Sequence, residues 1–534
     1  WTFLPELVDL EFEHELVYSE ASSRPEDAYA ESQNELVLIK RGDFEYKKVE
    51  GGSEQETNYR FDERRTITKT ATGYVWREKS GNKIEYDLDG KVKYLIDRNG
   101  NAIEITRDEL GRIENILDPN KAIALIFTYV LETNKIHTVT DYDQRQIEYI
   151  WDGEILDKLK DVRGKIWDYG YENYTVDKPL TLLASITNPL EKTTKINYKF
   201  DPGGMRCISQ TVNRAAEQFG YTVSGNDCIS VDVPKMVILE GITLPGDTQK
   251  TVVYDYFYDS NKEEYYHKVR ANDGKVDESV INLQGETTAR YVNNVLVMSA
   301  TKDGNTTTIT NNQNQEFVKH YDEWKRLKQV IFPDLTSRSW EYNSFDMPTK
   351  FTNEEGTVFE SHYDDNGNII KRIQGVGKED ERTQEFCNQY TSSDECIALK
   401  TANCMGAATD HCAVVKINGG EVDGVVTEDL IIAVVYDDRD NMIKYKNGEG
   451  DITSYNDFDA LGNPRSITDP SLKEWKYTYD NAGNVRTATT PLEKITEYTY
   501  NDAGKLETII DAQPNEGPNL FDIKYHYDPK GRVE

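Results

Sequence analysis

Along most of this chain apolar and polar residues alternate one for one. The runs are short, and Asp, Asn, Gly or Pro ends each of them. Lys83-Ile84-Glu85-Tyr86 and Glu474-Trp475-Lys476-Tyr477-Thr478-Tyr479 are two examples. A period of two marks strands with one face drier than the other. Tyr, Phe and Trp at the ends of these runs favour strands as well.

What ends the runs is itself repeated. The phrase is an aromatic residue, Asp, two or three further residues, Gly, then a basic residue or Asn. It occurs from Tyr86 and Asp87 to Gly90, from Tyr479 and Asp480 to Gly483, from Tyr500 to Gly504, and from Tyr527 and Asp528 to Gly531. Looser copies run from Asp108 to Gly111, from Asp459 to Gly462 and from Asp364 to Gly367. An Asp side chain bonds the backbone two residues on and so starts a turn. Gly supplies the positive φ that closes a type I turn with a bulge. The copies keep register: Phe458, Tyr479 and Tyr500 stand 21 residues apart, and Arg107, Tyr129 and Trp151 stand 22 apart. Midway lies a second turn signal, as at Asp97 to Gly100, Asp118-Pro119-Asn120, Asn188-Pro189 and Asp469-Pro470. Each unit therefore predicts two strands, and a fixed period predicts a repeat architecture.

These units resemble the YD repeats of Rhs proteins, which also occur in the C subunits of Tc toxins, in wall-associated bacterial toxins and in teneurins. The resemblance covers most of residues 72–201, 240–373 and 428–534, weakens over 1–70, and lapses in two insertions. It implies an all-β fold: a spiral antiparallel sheet of YD-repeat hairpins forming a curved shell, or β-cocoon. The expected organisation is an N-terminal β segment (1–71), repeats (72–201), an insertion (202–239), repeats (240–373), a Cys-rich insertion (374–427) and repeats (428–534), with a further C-terminal part missing.

Composition fits a thin sheet better than a solid globule. Hydrophobic residues make up only 37 %, yet there are 34 Tyr. Tyr packs its ring while its hydroxyl meets water. The net charge of −33 argues against nucleic acid and against anionic membrane surfaces, both of which would be repelled. No run approaches the apolar length of a membrane span. Asp87-Leu88-Asp89-Gly90 and Asp437-Asp438-Arg439-Asp440 lack the twelve-residue calcium loop with its terminal Glu, so no metal or other cofactor is expected.

The six cysteines lie in the two insertions: Cys207 and Cys228 in the first, Cys387, Cys396, Cys404 and Cys412 in the second. Even numbers confined to loops predict disulfides and an oxidising compartment. Cys207 is expected to pair with Cys228. Three pairings of the other four remain open, and proximity favours Cys387–Cys396 with Cys404–Cys412. With no Cys-x-x-Cys pair, zinc is disfavoured. A short helix is expected over 212–219.

No catalytic residue stands out. The seven histidines form no cluster, and P-loop, nucleophile-elbow and dinucleotide signatures are missing. The chain is expected not to be an enzyme, with any autoprotease or toxin activity lying downstream of Glu534. The resemblance then implies a structural shell around a toxic C-terminal cargo of its own protein, with delivery or surface partners. The location would be secreted, cell-surface or extracellular, or periplasmic in transit. The alternative is a teneurin-like adhesion protein using its insertions as contact loops.

Overall fold

The computed structural model describes residues 10–18, 32–41, 44–48, 57–60, 65–78, 80–175, 179–201, 204–209, 228–233, 236–247, 249–259, 262–283, 285–378, 381–419, 421–422, 425–426, 428–511 and 523–534. Among these residues 41 strands are antiparallel members of one sheet, and two short hairpins stand apart from it. Strands pair with their neighbours in the chain: Lys83–Tyr86 with Val92–Ile96, that strand with Ala102–Arg107, and that in turn with Ile113–Leu117. Among the described residues no helix is long and apolar enough to cross a membrane.

The two faces of a repeat differ as the alternation requires. On one face Trp475 lies opposite Ile467, and Tyr477 opposite Ala488. On the other, Thr478 and Thr487 share a hydroxyl hydrogen bond of 2.7 Å, and Thr499 and Thr508 one of 2.6 Å. Such cross-strand pairs contribute roughly 0.2–1 kcal/mol each, so a thin sheet is held by many small increments.

The chain divides into two compact units: Trp1–Arg145 with Glu341–Lys350 and Val358–Gly462, and Gln146–Trp340 with Phe351–Thr357 and Asn463–Glu534. The first unit contains two small cores, where the composition predicted a thin wetted sheet. One gathers Leu10, Ile39, Tyr46, Tyr59, Ile67, Trp76, Ile84 and Val92 from the N-terminal strands. Its aromatics are internally satisfied, since the Trp76 indole N–H donates to the Tyr46 hydroxyl at 2.8 Å. The Arg41 guanidinium lies 4.5 Å over the Trp76 ring and donates to the Tyr86 hydroxyl at 2.9 Å.

The second core corrects the expected Cys-rich loop. Residues 374–427 are not one insertion, because the sheet continues through Arg382–Cys387 and Cys412–Ile417, which pair with each other and onward with Leu430–Tyr436. Cys387 and Cys412 are therefore strand residues. Arg382-Thr383-Gln384-Glu385-Phe386-Cys387 shows no apolar–polar alternation, since its first four residues are all polar, and so gave no strand signal. Between these strands lies the helix Asp394–Asn403, which was not expected. Its start is written in the sequence: Ser393 accepts from the Cys396 N–H as N-cap, and Asp394 and Glu395 occupy the first turn.

The first insertion departs from the sheet between Thr193–Asp201 and Met236–Thr243, which pair directly. Gly204–Ser209 and Cys228–Val233 pair as a separate hairpin with Ser209 opposite Cys228. Cys207 and Cys228 are thus also strand residues. Their side chains, and the helix expected over 212–219, lie outside what the structure describes.

Candidate functional site

The repeated phrase is a single hydrogen-bonded device, and each of its residues has an assignable task. In the turn from Asp480, the Gly483 N–H donates to the Asp480 carbonyl at 3.0 Å. The Asp480 Oδ1 accepts from the N–H groups of Ala482 and Asn484 at 2.8 and 2.9 Å. Its Oδ2 accepts from the Asn484 side chain at 3.0 Å. The Asp thus caps backbone donors that would otherwise point to solvent, and the residue after Gly occupies the second carboxylate oxygen. Arg plays the part of Asn at Asp108 and Asp528, where Arg112 and Arg532 each donate from Nε at 2.7 Å. The turns from Asp87 and Asp459 are built alike: Lys91 donates its N–H to Asp87 Oδ1 and Leu461 its N–H to Asp459 Oδ1. Gly90, Gly111, Gly462, Gly483, Gly504 and Gly531 have φ between 77° and 84°.

The aromatic residue ties one repeat to the one before. The hydroxyls of Tyr479, Tyr500 and Tyr527 donate to the carbonyls of Pro464, Val485 and Leu506, at 2.8, 2.9 and 2.6 Å. Each acceptor lies at or next to the start of the return strand that follows the previous turn. At Tyr129 the link is double. Its hydroxyl reaches the Ile113 carbonyl at 2.6 Å, and the Arg112 guanidinium bound to Asp108 lies 4.2 Å over its ring. Tyr86 differs, accepting from Arg41 in the N-terminal core.

Sequence reading missed how many turns close without glycine. Lys121, Glu191, Leu472 and Glu493 take the left-handed position at φ of 67°, 58°, 61° and 62°. The Asp, Asn or Thr three residues earlier was the signal; the expected Gly was not required. Where a β-branched residue would enter, the cost returns. Gly483→Val should destabilise its hairpin by about 1–2 kcal/mol, read as a lowered urea midpoint; an unchanged midpoint would contradict the turn assignment.

The turn carboxylates also set a pH dependence. The Asp322 carboxyl is held below its ordinary range. Desolvation is the largest influence and acts upward, but the Arg326 N–H and guanidinium and the Trp324 N–H together outweigh it. A carboxyl lowered on folding contributes stability that is full above its unfolded pKa of about 3.9 and is lost as pH falls through the folded value. The stability gap between wild type and Asp322→Asn should therefore be constant from neutral pH down to about 5 and close below about 4. A gap that persists at lower pH contradicts this.

The same turns build a seam inside each unit. In the first unit, Arg98 donates to the Gly367 carbonyl at 3.0 Å and the Asn368 side chain to Asn99 Oδ1 at 2.7 Å. Asn120 donates to the Asp438 carbonyl, Arg439 lies 4.3 Å over the Tyr142 ring, and the Ala460 N–H reaches Asp143 at 3.0 Å. In the second unit Lys165 pairs with Asp502 at 2.5 Å, and a Cβ on Gly504 would meet the Arg163 guanidinium at 2.6 Å. Turns distant in the chain thus interlock edge to edge.

The cysteine lobe reinforces this seam. Cys387 is bonded to Cys396 and Cys404 to Cys412. All four pack with Val414, Ala433 and Val435. Lys400 is 2 % exposed and donates to the carbonyls of Asn388 and Thr391 at 3.1 and 2.8 Å. Burial pushes its ammonium pKa down, against the opposing pull of Asp410. The Tyr390 hydroxyl accepts from Asn101 at 2.8 Å, and the His411 ring bridges Asp410 and Asp438 at 3.0 and 2.9 Å. Among the described residues no group of three or more His, Cys, Asp or Glu side chains could hold a metal ion.

Comparison with known proteins places the match on the turns. The family model described as RHS Repeat fits residues 458–495 and 479–515, the stretch holding the turns from Asp459, Asp480 and Asn501. No curated protein matches the sequence. Among solved structures, the whole chain aligns with 33 % of the chain in the crystal structure of TcdB2-TccC3-TEV, at 13 % identity and a TM-score of 0.36. It aligns with 31 % of the chain in the crystal structure of TcdB2-TccC3, at 12 % identity and a TM-score of 0.31. For the Photorhabdus luminescens Tc holotoxin pore the figures are 32 %, 12 % and 0.30. This chain spans about a third of the length of those chains. Residues 458–515 thus match the RHS Repeat model, and the turn geometry of these matched repeats recurs along the rest of the sheet.

Proposed function

We propose that this chain is wall: part of an RHS-repeat shell of an Rhs-like polymorphic toxin, enclosing a toxic C-terminal cargo and having no catalysis of its own. The observation that supports this best is the interlocking of turns far apart in the chain, such as Arg98 with Gly367 and Lys165 with Asp502. A sheet whose hairpin tips grip one another can build a continuous barrier from one layer of strands. The acidic excess suits a basic cargo and disfavours nucleic acid. The disulfides suit secretion or a cell-surface location, or the periplasm in transit. A teneurin-like adhesion role is the second reading. The helix Asp394–Asn403 favours it, because Ile397 is 40 % exposed on a disulfide-braced lobe.

The test is limited proteolysis of the full-length protein. The segment beyond this chain should be cleaved at least tenfold more slowly than the same segment alone, and an Arg98→Glu, Lys165→Glu variant should lose that protection. Equal cleavage rates would overturn the shell reading and leave the adhesion role in front.

A further inference from the structure

The connection between Met236–Thr243 and Val252–Asp259 is longer than the five-residue turns that close most hairpins of the sheet, and it forms one side of a pocket of about 910 Å³. Another side is the strand Thr193–Asp201, with Lys195 opposite Thr243. A pocket of this size suits a small ligand.

The connection is held in place. The Leu244 N–H donates to the Thr251 hydroxyl at 2.9 Å, and that hydroxyl donates to Asp247. Asp247 also pairs with Lys530 at 2.8 Å. Gly246, at φ of 85°, approaches Pro529 so closely that a Cβ would lie 2.8 Å from the proline ring. The bare backbone of Gly241 leaves room for the Lys250 stem, which a Cβ there would meet at 3.3 Å.

The charge lining this pocket runs against that of the chain. Lys192, Lys195 and Lys250 line it, with the Gln249 amide beside them. Two carboxylates line it too. Asp247 is already engaged by Lys530 and Thr251, and Glu191 sits exposed at the tip of its turn, as Lys192 and Lys195 are exposed at the mouth of the pocket. Lys250 is paired with Glu240, whereas Lys192 and Lys195 form no ion pair among the described residues. At physiological salt the Debye length is about 8 Å, so an anion in the pocket responds to these lysines rather than to the distant acidic excess.

We propose that this pocket binds a small molecule carrying an anionic ester group, a phosphate or sulfate monoester, held by Lys192 and Lys195 with Lys250 and Gln249 completing the site. Lysine is a compact donor of charge and three N–H groups, suited to such a group without fixed geometry. This inference is independent of the shell reading and stands or falls apart from it.

The experiment is calorimetric titration of the full chain with inorganic phosphate, inorganic sulfate, glucose 6-phosphate and glucose 6-sulfate. At least one ester should bind saturably, and the preferred arm distinguishes phosphate from sulfate. The Lys192→Gln, Lys195→Gln variant should melt as wild type does and bind at least tenfold more weakly. The control Lys328→Gln, on an exposed strand position elsewhere, should bind as wild type does. No saturable binding of any probe at 10 mM, or affinity retained by the double variant, would overturn the proposal.

Discussion

Replacing Trp76 with Ala is expected to cost about 3–5 kcal/mol, among the largest effects of any single substitution in this chain. Trp76 is 7 % exposed, packs with Tyr46, Ile67 and Ile84, and satisfies the fully buried Tyr46 hydroxyl. Truncation would leave a cavity, remove the hydrogen bond to that hydroxyl and remove the ring beneath Arg41. Repeat arrays gain stability by nearest-neighbour terms, so the loss should be local. Hydrogen exchange should quicken across 65–96 while the strands of 463–511 keep their protection. Uniform loss of protection along the chain would contradict a separate N-terminal core, and a shift below 1 kcal/mol would contradict the packing.

Removing both disulfides of the cysteine lobe should be comparably severe. Cys387–Cys396 and Cys404–Cys412 close loops with sequence separations of 9 and 8. Chain-entropy bookkeeping assigns about 2.5 kcal/mol to each loop of this size. The sulfurs are also core atoms, since Cys404 and Cys412 are 1 % and 0 % exposed. Replacing all four cysteines with Ser should therefore release the helix Asp394–Asn403 and expose Lys400. Trypsin should then cut after Lys400, a bond that resists it in the oxidised wild type. Continued resistance of the four-Ser variant would show that packing alone holds the lobe.

The contrast between these two regions and the repeats explains what could be read from sequence. The turns were legible because one short phrase carries every interaction it needs. Asp480 caps its own turn, Gly483 supplies φ, and Tyr479 reaches a carbonyl one repeat away. Alternation then fixed the strands, as at Glu474–Tyr479. The seam was not legible. Arg98 and Gly367 are far apart in the chain, and nothing in either turn names its partner. The cysteine lobe was half legible: proximity favoured the observed pairing, but polar composition hid the strands that end at Cys387 and begin at Cys412. Leu472 shows a further limit. It takes a backbone conformation usually left to Gly because Asp469 fixes the turn around it.

The most direct test of the central claim is a cryo-electron microscopy map of the full-length protein. If this chain is wall, the map should show its repeats as a single layer of strands bounding a space filled by solvent or cargo. The turn of Arg98 should then meet that of Gly367, and the turn of Lys165 that of Asp502. A sheet packed face to face against a second layer with a solid, dry interior, and no enclosed space, would contradict the account.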